Sequence, residues 1–270
     1  MIGPYRLEQV LGEGGMGKVF RAVRESDGTV VALKVVRSEL AGDEQHARRF
    51  RREARAASEV DHRHLVGVLD AGEAGGRRYL AMRFISGRSL DQRIEADGPL
   101  SVGATVQLAC EIGAGIDALH AAGLVHRDIK PSNIMLEEHG GAALTDFGLA
   151  KSGKYSEITQ AGQVLGTLDY LAPEAIRGHE PGPAADIYAL GCVVFECLAG
   201  RPPFGHKTVF EVGLGHLEEP PPDPCAARPE SPAGFASIVL QALAKAPAER
   251  PPTATAYART LSVAAGALSS

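Results

Sequence analysis

An acid, an ammonium and an amide stand at fixed offsets in the stretch His126-Arg127-Asp128-Ile129-Lys130-Pro131-Ser132-Asn133, and a second acid follows in Asp146-Phe147-Gly148. A carboxylate on a loop can accept a proton from an attacking hydroxyl, and a nearby ammonium can meet a transferred phosphoryl group. Asp128 and Lys130 supply these two groups. Asn133 and Asp146 add oxygen donors, the hard ligands that Mg²⁺ takes when bound together with substrate phosphates. Taken singly, each residue reads more readily as an Asx turn or a surface ion pair; their joint spacing points to movement of a phosphoryl group. His126 follows the apolar Leu124 and Val125, and a histidine so placed reads as a packed core residue rather than a catalytic base.

Such a loop needs a nucleotide and a scaffold to present it. Val10-Leu11-Gly12-Glu13-Gly14-Gly15-Met16-Gly17-Lys18-Val19-Phe20 carries G-x-G-x-x-G at Gly12, Gly14 and Gly17. In a dinucleotide-binding unit these glycines would follow a strand and open a helix, with an acidic residue about 20 positions on. Here Lys18 to Val23 alternates as a strand does, Ser26-Asp27-Gly28-Thr29 signals a turn, and Val30 to Val36 forms another strand, which makes a β-meander. Glycines at its first bend let backbone N–H groups approach phosphate oxygens with no Cβ in the way, although a ligand-free hairpin fits the pattern equally well. Lys34 lies in the otherwise apolar Val31-Ala32-Leu33-Lys34, where a lone lysine ordinarily turns to solvent. The following helix-like segment, Asp43 to Val60, places Glu53 within reach of it, while Arg48, Arg49, Arg51, Arg52 and Arg55 read as a solvated face. Further strands are expected at Leu65 to Leu69 and Arg78 to Phe84, separated by the turn-rich Ala71-Gly72-Glu73-Ala74-Gly75-Gly76. The β pattern breaks at Ile85-Ser86-Gly87-Arg88, where a boundary between two lobes falls.

Beyond that boundary the periodicity becomes helical. Ser101 is a candidate N-cap, and apolar residues recur at Val102, Val106, Ala109, Ile112, Ile116 and Leu119 until Gly123 ends the run. This helix delivers the chain to the phosphoryl-transfer loop. A second helix, opening at Asp186-Ile187-Tyr188-Ala189-Leu190-Gly191, is apolar nearly all round and is expected to be buried. Pro220-Pro221-Pro222-Asp223-Pro224 reads as a loop between helices, with further helices through Ile238 to Leu243 and Thr253 to Leu261.

The 270 residues suffice for one large domain or two modest lobes, and 44% hydrophobic with 23% charged residues excludes a wholly disordered chain. A net charge of −5 argues against nonspecific nucleic-acid binding. Cys110, Cys192, Cys197 and Cys225 have neither zinc-site spacing nor the density of a disulfide framework, which fits a reducing cytosol. Met1-Ile2-Gly3-Pro4-Tyr5-Arg6 lacks a basic segment followed by an apolar core, and the longest apolar run, Ile187 to Ala199, is interrupted by Glu196 and is too short to span a bilayer. The chain is expected to be soluble and cytoplasmic, or the cytosolic part of something longer.

The glycine loop, Val-Ala-Leu-Lys, a helix glutamate, the His126 to Asn133 stretch, Asp-Phe-Gly and Ala172-Pro173-Glu174 occur in the order seen in the eukaryotic-type protein kinases, which the chain resembles. The resemblance covers nearly the whole chain. Lys130 two residues after Asp128, with Gly166-Thr167 ahead of Ala172-Pro173-Glu174, resembles serine/threonine rather than tyrosine kinases. Phe50-Arg51-Arg52-Glu53-Ala54 and Gly166-Thr167-Leu168-Asp169-Tyr170-Leu171-Ala172-Pro173-Glu174 resemble bacterial, actinobacterial members. The resemblance implies an α+β, bilobal protein-kinase fold with a small β-rich N-lobe carrying one main helix and a larger, mainly helical C-lobe. It implies a kinase domain over 1–265, with the N-lobe at 1–84, the hinge at 83–87, the C-lobe at 88–265 and a tail at 266–270.

Carried over by residue, the resemblance implies that Leu11 and the glycine loop cover ATP while Val19, Ala32 and Met135 pack on adenine. Met82 matches the gatekeeper, and Arg83, Phe84 and Ile85 the hinge whose backbone would bind adenine. Lys34 would hold the α- and β-phosphates and pair with Glu53. Asp128 would be the catalytic base, Lys130 a γ-phosphate contact, and Asn133 and Asp146 the ligands of Mg²⁺, or of Mn²⁺ in its place. Arg127 marks enzymes whose activation segment is organised by phosphorylation through charge-assisted bonds to arginine. Thr159 is the first candidate phosphosite in that segment, Leu149 to Leu171, and Ser156 the second; Ala161 stands where relatives often carry another threonine. Thr167 would contact the catalytic aspartate, Asp186 would tie down the catalytic-loop backbone, and Glu174 with Arg250 would form a buried ion pair. The implied partners are protein serines and threonines and ATP, with pairing through N-lobes in some members and a membrane-anchored sensor in others. Arg83 replaces a common acidic hinge residue, and Ala246 a frequent aspartate; neither touches a phosphate in the family pattern. The rival readings are a pseudokinase that binds without turnover, a small-molecule phosphotransferase of the same fold and, more distantly, a dinucleotide oxidoreductase.

Overall fold

The alternation of side chains along Val30-Val31-Ala32-Leu33-Lys34-Val35-Val36 builds a strand with two different faces. In the computed structural model, which describes residues 1–14, 17–36, 52, 54–146, 168–205, 208–226, 228 and 230–266, this strand lies at the centre of a five-stranded antiparallel sheet. Its strands are β1 (Tyr5–Gly14), β2 (Gly17–Arg24), β3 (Val30–Val36), β4 (Val68–Ala74) and β5 (Arg77–Arg83), ordered β1-β2-β3-β5-β4. Val31, Leu33 and Val35 face outward and pack with Ile2, Tyr5, Ala22, Tyr79 and Ala81 into a small separate core. Ala32, Lys34 and Val36 face the other way, beside Val19 of β2 and Leu80 and Met82 of β5, as the register Lys34↔Val19, Lys34↔Leu80 and Ala32↔Met82 requires. The lysine therefore points toward the other lobe because it shares the parity of Ala32, and the outer face needs no charge.

The turn expected across Ala71 to Gly76 is shorter than its composition suggests. Ala71-Gly72-Glu73-Ala74 continues β4, and only Gly75-Gly76 turns. Gly72 pairs with Tyr79, and a Cβ on Gly72 would come within 2.4 Å of the Tyr79 hydroxyl, so the glycine serves close packing rather than a bend. Leu65, expected in this strand, makes instead an isolated parallel bridge to Leu144.

The larger lobe is mainly helical. It comprises α1 (Leu90–Asp97), α2 (Val102–Ala121), α3 (Pro173–Ile176), α4 (Pro183–Ala199), α5 (Val209–Leu217), α6 (Phe235–Gln241) and α7 (Ala254–Ala264). A second, three-stranded antiparallel sheet is formed by β6 (Gly87–Ser89), β7 (Ile134–Glu137) and β8 (Ala142–Leu144). Helix α2 begins at Ser101, whose hydroxyl accepts from the Ala104 N–H, and α7 begins at Thr253, which caps Ala256 in the same way. By length and composition α2 could cross a membrane, yet Val106, Ala109, Ile112, Ile116 and Leu119 belong to the main core, against α4 and α7.

Helix α4 is the axis of this lobe. Pro183 occupies its first turn, Gly200 ends it at φ 75°, and Ala185 to Leu198 are all buried. Ile187, Leu190, Val193, Val194 and Phe195 each contribute about 1.5–3 kcal/mol by burial, which offsets the desolvation of the carboxylate of Asp186 at its first turn. The bilobal α+β architecture expected from the sequence is present, with one apolar core running from the inner face of the N-lobe sheet through α2 and α4.

Candidate active site

The loop between α2 and β7 has no regular hydrogen-bond ladder, so its shape depends on what grips its backbone. Asp186 does this from α4: Oδ2 accepts from the His126 N–H at 2.8 Å and Oδ1 from the Arg127 N–H at 2.9 Å. The Nε2 of His120, in the last turn of α2, lies 2.8 Å from the same carboxylate, a partner that no pattern in the sequence disclosed. Arg127 is held at φ 65°, a conformation that costs a residue bearing a Cβ on the order of 1–3 kcal/mol and persists only under such a grip. His126 is buried; its Nε2 lies 3.0 Å from the Thr145 carbonyl and its Nδ1 accepts from the Asp128 N–H at 3.3 Å. Burial pushes its pKa down despite the nearby carboxylates of Asp186 and Asp128, which matches the neutral tautomer these bonds require.

Asp128, Lys130 and Asn133 lie together. Asn133 Nδ2 donates to the Asp128 carbonyl at 2.7 Å and to its Oδ2 at 3.1 Å, and Lys130 Nζ is 3.4 Å from the same Oδ2. Pro131 opens a 3₁₀ turn, Pro131–Asn133, that fixes the offset between these side chains. The β7–β8 hairpin then returns the chain: Ile134 pairs with Leu144, and the Thr145 N–H donates to the Asn133 carbonyl at 2.8 Å. Asn133 and Asp146 thus sit at adjacent ends of one hairpin although the sequence separates them. Asp146, like Arg127, has φ 65°.

Across the lobes, Lys34 Nζ meets Asp146 Oδ1 at 2.7 Å, with side-chain exposures of 13% and 24%. The expected Lys34 to Glu53 pair cannot be placed, because Glu53, Ser156, Thr159 and Thr167 lie outside the described residues. Val19, Ala32 and Met135 are half-buried and Met82 is buried beside Thr145, whose hydroxyl lies 4.0 Å from the sulfur. Gly12 and Gly14 face open space, where a ligand could approach the backbone. Gly17 has a different reason for being glycine: at φ 151°, a Cβ there would meet the Val35 carbonyl oxygen at 2.0 Å. Leu11 is exposed on β1, Ile85 is buried, and the Phe84 ring lies under the Arg21 guanidinium at 5.8 Å. Arg83 bridges to Glu137 of β7 at 3.4 Å, a tie across the expected hinge that local sequence does not show.

Below the loop, Arg250 forms a two-pronged bond with Glu174, at 2.7 and 2.8 Å, and its guanidinium also donates to the carbonyls of Ala184, Ala244 and Lys245. Its plane lies over Tyr188 at 4.9 Å. Tyr170 donates to Glu196 of α4 at 2.5 Å, so the residues just ahead of Ala172-Pro173-Glu174 are tied to the central helix. Burial raises the Glu196 pKa to about 7; the Tyr170 bond works against this shift, and the nearby Asp169 and Asp91 reinforce it.

The chain that presents a carboxylate beside a lysine on one loop, an amide and a second carboxylate at a hairpin end, and a strand lysine opposite is similar to known proteins over most of its length. Serine/threonine-protein kinase PknH of Mycobacterium tuberculosis is 39% identical over 250 residues, covering 93% of this chain and 40% of the relative. Serine/threonine-protein kinase pkn3 of Myxococcus xanthus is 40% identical over 265 residues, covering 94% of this chain and 48% of the relative. The chain spans less than half the length of these curated relatives. The crystal structure of the PknI kinase domain of M. tuberculosis superposes with a TM-score of 0.79 at 29% identity, covering 98% of this chain and 97% of that one. Residues 5–260 match the sequence pattern of the protein kinase domain, and the chain belongs to that family, among relatives that are bacterial serine/threonine kinases.

Proposed function

We propose that this chain transfers the γ-phosphoryl group of Mg·ATP to serine and threonine hydroxyls of proteins. The observation that carries the reading is the set Asp128, Lys130 and Asn133 on one gripped loop, facing the Lys34–Asp146 contact made across the lobes. Asp128 accepts the proton of the attacking hydroxyl, and Lys130 places positive charge beside the transferred group. Lys34 supplies charge to the α- and β-phosphates. Asn133 turns its Nδ2 toward Asp128, which leaves its amide oxygen, with the Asp146 carboxylate, as the hard donor set suited to Mg²⁺ or Mn²⁺. When bound, the metal neutralises phosphate charge. The half-buried apolar residues Val19, Ala32 and Met135 suit an adenine ring, with Met82 behind them and the backbone of Phe84 and Ile85 at the rim. Acceleration by this site comes from positioning and charge, not from a covalent intermediate.

The same reading takes 1–265 as the kinase domain, with its hinge at 83–87, and Thr159 ahead of Ser156 as the phosphosite that acts through Arg127. It also takes the chain as cytoplasmic, either by itself or as the cytosolic domain of a longer membrane-anchored receptor-like kinase; relatives more than twice as long are consistent with the second. Incubation with labelled ATP and Mg²⁺ tests the core of it. Label is expected in the chain and in a basic protein substrate, and Asp128→Asn should lower incorporation by about 10²–10⁴-fold. Equal label in both proteins would leave a binding module without turnover, and label confined to small molecules would indicate the other phosphotransferase class. Thr159→Ala should lower activity more than Ser156→Ala; the reverse order would move the regulatory site.

A further inference from the structure

The guanidinium of Arg127 is only partly used. Its backbone is fixed by Asp186 and its side chain is 18% exposed, yet its one ion-pair partner among the described residues is Glu180, which accepts from an Nη at 3.3 Å. Its Nε is buried with no hydrogen-bond partner among the described residues. A planar group with five donors therefore holds one carboxylate oxygen and keeps capacity for another oxyanion.

Glu180 is not part of the segment that would carry a regulatory phosphate. It lies in the connection from α3 to α4, followed by Pro181-Gly182-Pro183. Pro181 restricts the backbone of Glu180, and Pro183 is the first residue of α4. At the other end of the connection, α3 is anchored through the Glu174–Arg250 pair, and the His179 N–H donates to the Glu174 carbonyl at 2.9 Å. The carboxylate is thus presented from a connection held at both ends. It pairs with Arg127 from outside the 149–171 segment. A phosphate monoester arriving at the same guanidinium meets a like charge, on a glutamate side chain that is 78% exposed, as well as the arginine, although its larger charge and three acceptor oxygens favour it in the contest.

We infer that Glu180 is a competing ligand of Arg127 that raises the phosphate affinity threshold at which phosphorylation acts on the catalytic loop. This rests on the reading that a phosphate monoester acts through Arg127. Phosphatase-treated chain can be titrated with inorganic phosphate at constant ionic strength while the Nε–H resonance of Arg127, assigned by its loss in Arg127→Lys, is followed by NMR. Glu180→Gln should bind phosphate about 2- to 5-fold more tightly than wild type, the range that release of an exposed ion pair supports. Glu180→Lys should strengthen binding further. Equal or weaker affinity in both variants overturns the competition. A resonance that ignores phosphate in every protein also overturns it. If phosphorylation in that case still stimulates activity and the stimulation survives Arg127→Gln, the fault lies in the underlying reading of Arg127 rather than in Glu180.

Discussion

The two ion pairs that flank the loop from His126 to Asn133 are built on opposite plans. Arg250 and Glu174, below the loop, meet through two short bonds, and the arginine side chain has no solvent exposure while three backbone carbonyls take its remaining hydrogens. Lys34 and Asp146, facing the cleft, meet through one bond and keep 13% and 24% exposure. The buried pair is surrounded by partners, and the pair facing the cleft keeps a contact that a ligand, on the proposed reading, would exchange. The same contrast separates Asp186, sealed and bonded to two backbone N–H groups and a histidine, from Asp128, whose carboxylate faces the cleft beside Lys130.

This division can be broken by substitution. Arg250→Met should cost about 3–5 kcal/mol of stability, because it strands Glu174 and three carbonyls; chemical denaturation measures it, and a cost below about 1 kcal/mol would remove the distinction. Lys34→Met should lower phosphorylation by at least about 10²-fold while the protein melts cooperatively near the wild-type temperature. If Lys34→Met destabilised as much as Arg250→Met, the cleft pair would belong with the structural one.

Glu196 sharpens the comparison through pH. Its folded pKa of about 7 lies above the ordinary value of 4.5, so the folded state binds its proton more tightly than the unfolded chain does. The resulting stabilisation is complete below about pH 4.5 and is lost as pH rises through 7, on the order of 3 kcal/mol for this group. Denaturation midpoints of wild type and Glu196→Gln should therefore converge or cross between these limits, and parallel profiles would contradict the buried placement of the carboxylate. The smallest effect belongs to the exposed tie between Arg83 and Glu137: Arg83→Ala should change stability by no more than about 1 kcal/mol, read from the same midpoints.

Strand β3 and helix α2 were legible at once, because each carries its own period and, for α2, its own cap. Strand β4 was not. Ala71-Gly72-Glu73-Ala74 are poor strand formers, and they become a strand through the ladder to β5 and the fit of Gly72 against Tyr79, neither of which a short window of sequence contains. At the site, the spacing of Asp128, Lys130 and Asn133 was readable because one loop holds them. The pairing of Glu174 with Arg250 was expected only through family resemblance, and His120 on Asp186, Tyr170 on Glu196 and Glu180 on Arg127 gave no local signal.

The sequence by itself determined the parity that puts Lys34 on one face with Ala32, the buried helix that carries Asp186 and the order of the chemical groups along the chain. These follow from periodicity and from neighbours a few residues apart. Tertiary structure alone decided which carboxylate each basic group would meet. Lys34 reaches Asp146 across 112 positions, and the carboxylate that takes the backbone N–H of His126 comes from Asp186, 60 positions on. Such choices depend on which buried donors and acceptors are left without water once the cores have packed, and that is settled only in three dimensions.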